Sequence, residues 1–325
     1  MNRRISRAVA ALIVLVGGTG IGLLAAPAAM AAAHHVAGDF DGDGVVDLAV
    51  GAPGGNRVRI SYSLAHPGGS HTAYLHPSVA SHVYSMQFGW AIATADFDND
   101  GYADLAVGAP NFTTPPVGDG VLETRGAIFV YLGSSHGLVA QPLTITGPYD
   151  GDEPYNLADT LAAYDVDGDG YADLASDLRG TDDGNIRIYH GSSTGLAAAG
   201  YDELDDYDAT ALAFGDVNGD HHIDLIAGST TDLTNPVDYF IGDVMIFHGT
   251  AAGINPSGPQ LIRGDQVGVF GDLGTAVAAG DLNHDGYDDV VVGAAYDREE
   301  GVHPSAGTIV VLTGSSTGLS ATAAR

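Results

Sequence analysis

A nine-residue acidic pattern recurs five times along the 325-residue chain, and it constrains the fold more than any other feature. The copies are DFDGDGVVD at 39–47, DFDNDGYAD at 96–104, DVDGDGYAD at 165–173, DVNGDHHID at 216–224 and DLNHDGYDD at 281–289. Acidic or amide side chains hold the first, third and fifth positions, and a carboxylate holds the ninth. Alternating side chains converge on one point only if the backbone turns sharply, and a glycine such as Gly101 at the sixth position permits that turn. The product is an oxygen cage for a hard cation, with the ninth residue as a late and bidentate ligand. The loop is shorter than an EF-hand loop. It is followed by a brief apolar run ended by Gly and Pro, as in LAVGAP at 105–110, which reads as a buried strand and turn and not as a helix.

The expected ligands follow position by position. They are Asp39, Asp41, Asp43 and Asp47 with the carbonyl of Val45, then Asp96, Asp98, Asp100 and Asp104 with that of Tyr102. The third set is Asp165, Asp167, Asp169 and Asp173 with Tyr171. The fourth is Asp216, Asn218, Asp220 and Asp224 with His222, and the fifth Asp281, Asn283, Asp285 and Asp289 with Tyr287. Up to five Ca²⁺ ions are expected. The fourth site ranks last, because His221 stands where the others have glycine and would need an unfavourable backbone geometry or a rearranged loop.

The formal charge of -30 comes from 41 acidic residues against 11 arginines and no lysine. Such a chain has no basic patch with which to displace counterions from nucleic acid. The acids cluster in the five loops between apolar runs, which suits a cation sink better than a solvating tail. With no cysteine, neither disulfides nor thiolate-bound zinc can staple the fold. Residues 1–33 read as an export signal: Arg3, Arg4 and Arg7 precede an apolar run from 9 to 26, and small residues at 29–31 or 31–33 offer a cleavage site. An uncleaved anchor is the rival reading. No later stretch could span a bilayer, so the mature chain from 34 to 325 is expected to be secreted as a single domain.

Each acidic loop leads into an apolar strand, a loop of variable length and a second strand such as 127–132 or 244–248. A Gly-Ser-rich turn and a short strand then lead to the next loop, which makes about four strands per unit. Four-stranded units that cannot bury their own faces are blades of a propeller. The units resemble FG-GAP repeats of the integrin α-subunit N-terminal β-propeller and related bacterial repeat proteins, through Phe88-Gly89, the DxDxDGYxD loops, and Gly51-Ala52-Pro53 or Gly108-Ala109-Pro110. The resemblance implies an all-β propeller with bound calcium. Five units are visible, giving a five-bladed ring or an incomplete seven-bladed one. The first unit lacks its FG strand and the last ends without an outer strand. An open edge leaves homo-oligomerisation, a continuation of the chain and an imperfect ring as alternatives.

GSSHG at 133–137 and GSSTG at 191–195 and 314–318 fit G-x-S-x-G, but each follows a strand and precedes no helix, so they read as turns and not as hydrolase elbows. Arg263-Gly264-Asp265 lies in a connector, where chance explains it. The leading expectation is a non-catalytic calcium-binding module that recognises an extracellular protein or glycan. The alternative is an extracellular hydrolase with a channel site built from the acids outside the cages, Asp159, Asp177, Asp208 and Asp232.

Overall fold

The computed structural model describes residues 38–63, 71–77, 86–114, 123–148, 156–180, 184–230, 241–297 and 307–320. The proposed export signal and Asp232 lie outside them. Among the described residues the fold is all-β, with five antiparallel sheets, two short ribbons and two 3₁₀ turns. Every sheet contains the strand that the apolar run after an acidic loop predicts. Blade 1 comprises Leu48–Ala52, Arg57–Ser61 and Thr72–Leu75. Blade 2 comprises Ile92–Ala95, Asp104–Ala109, Ala127–Tyr131 and Leu143–Thr146. Blade 3 comprises Asn156–Tyr164, Asp173–Arg179, Asn185–Tyr189 and Tyr201–Leu204. Blade 4 is built from Ala211–Gly215, Asp224–Ser229, Asp243–Phe247 and Gln260–Arg263. Blade 5 has Leu273–Gly280, Asp289–Ala294 and Thr308–Leu312. The strands of each blade pair in chain order. Blade 1 lacks the first strand and blade 5 the fourth among the described residues, as the sequence pattern anticipates.

Side chains of a strand alternate between the two faces of its sheet, and here both faces of the inner blades are apolar. In blade 2, Leu105, Val107, Phe129 and Tyr131 pack on Val58, Ile60 and Tyr62 of blade 1. The intervening Ala106, Ile128 and Val130 pack on Leu157, Leu174 and Tyr189 of blade 3. The same alternation joins blades 3 and 4 through Ile188 and Phe247, and blades 4 and 5 through Ile246 and Val310. Phe88 of the FG pair is fully buried and stands edge-on to Phe129, with ring centroids 5.3 Å apart. Such a pair adds about 0.5–1.5 kcal/mol beyond burial of its area.

Glycine sets how closely successive blades approach. A Cβ on Gly51 would lie 2.0 Å from the Gly89 carbonyl oxygen, and one on Gly108 2.5 Å from that of Ala158. These FG and GAP glycines are therefore contact points between one blade and the next. In blade 3 the strand runs through Ser176 and Asp177 to Arg179, although the apolar pattern breaks there.

Gly51→Ala should cost about 1–3 kcal/mol, because the added methyl meets backbone that can move only with its blade. Gly54→Ala, with open space at its Cβ, should stay within about 0.5 kcal/mol of the parent. Urea titration of both variants checks the contrast.

Candidate metal centre

The five loops share one backbone path, held by their own carboxylates. The first aspartate accepts from the backbone N–H of the sixth residue and from that of the fourth or fifth: Asp43 and Gly44 donate to Asp39 at 3.1 and 2.9 Å, Asp100 and Gly101 to Asp96 at 3.2 and 3.1 Å, and Gly168 and Gly170 to Asp165 at 2.8 and 3.0 Å. The fifth aspartate accepts from the seventh N–H, as Tyr102 donates to Asp100 at 3.0 Å and Tyr171 to Asp169 at 2.9 Å. These short-range bonds coil the loop so that its oxygens face inward. The sixth residue takes a left-handed conformation throughout, with φ of 100° at Gly101 and 70° at His221. His221 thus adopts the unfavourable geometry and the loop is not rearranged, since its N–H still reaches Asp216 at 2.9 Å.

The fourth position is also left-handed in all five loops, held by Gly42, Asn99, Gly168, Gly219 and His284. Its signal in the sequence is the run of Gly and Asn there, since Asn tolerates this region better than most residues.

The ninth aspartate also holds backbone on both sides of its strand. One oxygen of Asp104 accepts the Phe97 N–H at 2.7 Å and the other the Gly133 N–H at 2.7 Å. The same pair of bonds recurs at Asp47 with Phe40 and Ser63, at Asp173 with Val166 and Gly191, at Asp224 with Val217 and Gly249, and at Asp289 with Leu282 and Gly314. Each of these carboxylates clasps its loop to the end of the second strand that follows it, which is the third strand of a complete blade. A carboxylate has about four lone-pair sites, so two accepted bonds leave room for a cation.

Three loops bring three carboxylates within 4.8 Å of one another: Asp39, Asp41 and Asp43; Asp96, Asp98 and Asp104; and Asp165, Asp167 and Asp173. The remaining predicted carboxylates, Asp47, Asp100 and Asp169, belong to the same three loops. Loops four and five carry Asn218 and Asn283 at the third position, and no such trio forms in them among the described residues. None of the three trios contains a histidine: His71 stacks on Tyr62 and His76 on Tyr74.

Burial, before any other cause, raises the carboxyls of these loops: Asp47 and Asp98 to about 6 and Asp104 to about 8. Neighbouring aspartates add to the rise. A cation placed among them would offset the charge that burial and crowding disfavour.

The acids proposed for a channel site meet elsewhere. Arg179 stands 3.3 Å from Asp159, 3.4 Å from Asp177 and 3.1 Å from Asp208, and donates to the Ala209 carbonyl at 2.8 Å. Asp177 is fully buried, which holds its carboxyl above the usual carboxylate range despite the guanidinium. Arg179 occupies the place of proline in GAP, and Asp208 that of phenylalanine in FG, so this ion cluster replaces an apolar contact between blades 3 and 4. The serines of the GSS turns accept and donate within the turn, as Ser192 Oγ does to the Gly195 carbonyl at 2.7 Å. Arg263 and Asp265 pair with each other at 3.4 Å across a 3₁₀ turn.

The architecture and loops define a repeat protein of the β-propeller type. The family model described as FG-GAP repeat matches residues 88–131 and 273–312, and that described as FG-GAP-like repeat matches 39–107. The chain carries FG-GAP repeats and is homologous to integrin alpha subunits. Integrin alpha-7 of Mus musculus is 35% identical over 153 residues, 45% of this chain and 12% of the relative. Integrin alpha pat-2 of Caenorhabditis briggsae is 32% identical over 216 residues, 62% of this chain and 17% of the relative. Phosphatidylinositol-glycan-specific phospholipase D of Mus musculus is 38% identical over 146 residues, 42% of this chain and 17% of the relative. The chain thus matches less than a fifth of the length of each.

Two outcomes follow from these charges. In chelator, the carboxyls raised by burial bind protons more tightly folded than unfolded, where they titrate near 3.9. Stability should therefore be greatest at low pH within the folded range and fall as pH rises through about 6 at Asp47 and Asp98 and about 8 at Asp104. Urea midpoints measured across that range should decline, and Asp104→Asn should flatten the upper part; a rising trend would contradict the assignment. Arg179→Met, which leaves three carboxylates without their cation, should cost about 3–5 kcal/mol, and adding Asp177→Asn should recover part of the loss.

Proposed function

We propose that the acidic loops are calcium sites and that the chain is an exported, calcium-stapled propeller that binds an extracellular protein or glycan without catalysing a reaction. The observation that carries this reading is the convergence of three carboxylates in each of the first three loops. All the donors are hard oxygens on a pre-shaped backbone, the set that suits Ca²⁺ over a softer metal. In each loop the first, third, fifth and ninth side chains and the seventh carbonyl would hold the ion. The bound ion would supply charge neutralisation, and its binding free energy would be folding free energy.

The loops are also tied to one another. Asp39 O accepts the Ala103 N–H and Phe40 O the Ser134 N–H, at 3.0 and 3.2 Å, so the first loop is bound to blade 2. The second loop reaches blade 3 in the same way through Ala172 and Ser192, and the fourth reaches blade 5 through Asp288 and Ser315. A cation that rigidifies one loop would thereby stiffen the junction with the next blade. This is a scaffold for presenting a fixed ligand-binding surface, the kind of role that homology to integrin alpha subunits supports. The match to a phospholipase D, over 17% of that protein, does not carry its activity to this chain. Asp159, Asp177 and Asp208 are held by Arg179, which favours a structural role for these three acids.

Calcium should raise the thermal midpoint by about 10 °C or more over the same protein in chelator, the size expected for several filled sites. Equilibrium dialysis should recover three to five ions per chain, consistent with hard-oxygen sites of this loop type. Melts that superimpose with and without calcium would remove the stapling role. Screening immobilised extracellular proteins and a glycan array in calcium tests the binding role, and turnover of glycosides or phosphodiesters would replace it.

A further inference from the structure

Blades 2 to 5 each lay one sheet face on the preceding blade, and fixed register positions do so. In blade 2 the second-strand residues on that face are Ala127, Phe129 and Tyr131, the first paired with Ala109. Counting from the loop, blade 3 places Asn185, Arg187 and Tyr189 there, and blade 1 places Arg57, Arg59 and Ser61. No described residue precedes Gly38, and this face of blade 1 lies open: Arg57 and Arg59 are exposed, Leu48 is 42% exposed and Tyr74 51%.

Blade 3 shows what an arginine at this register requires if it is to be covered. Arg187, the counterpart of Arg59, is 7% exposed. It pairs with Glu203 of the adjoining strand at 2.8 Å, and its guanidinium lies 4.2 Å over the Tyr201 ring. A buried guanidinium without such a carboxylate would be strongly disfavoured. Blade 1 carries the aromatic half of this arrangement, because Arg57 lies 5.5 Å over the Tyr74 ring. It lacks the acidic half: Tyr74 itself occupies the place of Glu203, opposite Arg59. Among the described residues no carboxylate pairs with Arg57 or Arg59. The open face of blade 5 does not supply one, since Val291, Ile309 and Val311 line it.

We propose that the open face of blade 1 docks an acidic polypeptide surface, whose carboxylates cover Arg57 and Arg59 as Glu203 covers Arg187, and whose apolar side chains cover Leu48 and Val50. The charge complementarity is specific to this place in a chain of net charge -30, which elsewhere repels acidic partners. The face continues the blade-to-blade interface already repeated four times in the fold. It is separate from the cation loops, and its test is carried out with calcium present throughout.

The test uses fluorescently tagged peptides of alternating glutamate and valine, with serine–valine and lysine–valine peptides of equal length as controls, followed by anisotropy. The glutamate peptide should bind saturably and about tenfold or more tighter than either control, and added salt should weaken it. Arg57→Gln with Arg59→Gln should abolish that preference, whereas Arg263→Gln should leave it intact. Thermal melts verify that the variants remain folded, and Arg59→Lys, which keeps the charge, should retain part of the binding if the double variant fails to fold. Equal binding of all three peptides, no saturable binding, or a preference unchanged in the double variant would overturn the proposal. Binding of heparin in place of the glutamate peptide, lost in the double variant, would assign the face to an anionic polysaccharide and equally overturn it.

Discussion

The fold depends on buried aspartates that accept backbone hydrogen bonds from two distant points of the chain. Asp104 ties Phe97, seven residues back, to Gly133, twenty-nine residues on, and four other loops repeat the device. A charged acceptor makes these bonds stronger than neutral ones, yet burial also raises the carboxyl of Asp104 to about 8. The same group therefore organises the loop and resists being ionised there. A cation bound there would offset the charge that burial disfavours, while the carboxylate kept both backbone bonds. The clasp and a cage would then be two uses of one side chain.

Stacking follows from what each blade cannot do alone. A sheet with apolar residues on both faces has no polar face to give to water, so blades 2, 3 and 4 each lie between two others. Four apolar clusters join the five blades in sequence, and among the described residues none joins the fifth to the first. The end faces then differ in kind. Blade 5 ends in valines and Ile309, which is 65% exposed, whereas blade 1 ends in two arginines beside a tyrosine.

Much of this was legible in the sequence because it is local. The positions of the five loops, the strand that follows each and the second strands are set by period-two patterns and glycine, and they fall within a residue or two of the observed elements except in blade 3, where the strand runs on to Arg179 past the break in the apolar run. The left-handed fourth position was legible in principle, through Gly42, Asn99, Gly168 and Gly219, but the sixth position drew the argument. What was not legible is what depends on two distant segments. Asp159, Asp177 and Asp208 read as separate acids with catalytic potential, since nothing local says that Arg179 gathers them. The clasp by the ninth aspartate was hidden likewise, because its second partner lies in the turn after another strand.

The junction between blades 3 and 4 shows how one departure from the repeat enforces others. At the other junctions FG and GAP bring two backbones into contact, as at Gly51 with Gly89, Gly108 with Ala158 and Gly228 with Gly274. Asp177 in place of that glycine carries a side chain that the close approach cannot accommodate. Arg179, paired with Asp177 at 3.4 Å, reaches across to Asp208 and the Ala209 carbonyl. With Asp208 turned to the arginine, the aromatic contact of the FG pair passes to the residue before it, and Tyr207 stands edge-on to Phe247 at 4.9 Å. At the loop end, the two backbone bonds that join each loop to the next blade at the other three junctions are absent here among the described residues. Ion pairs and one repositioned ring thus do the work that glycine contact and backbone hydrogen bonds do elsewhere, and this seam responds to charge where its neighbours respond to shape.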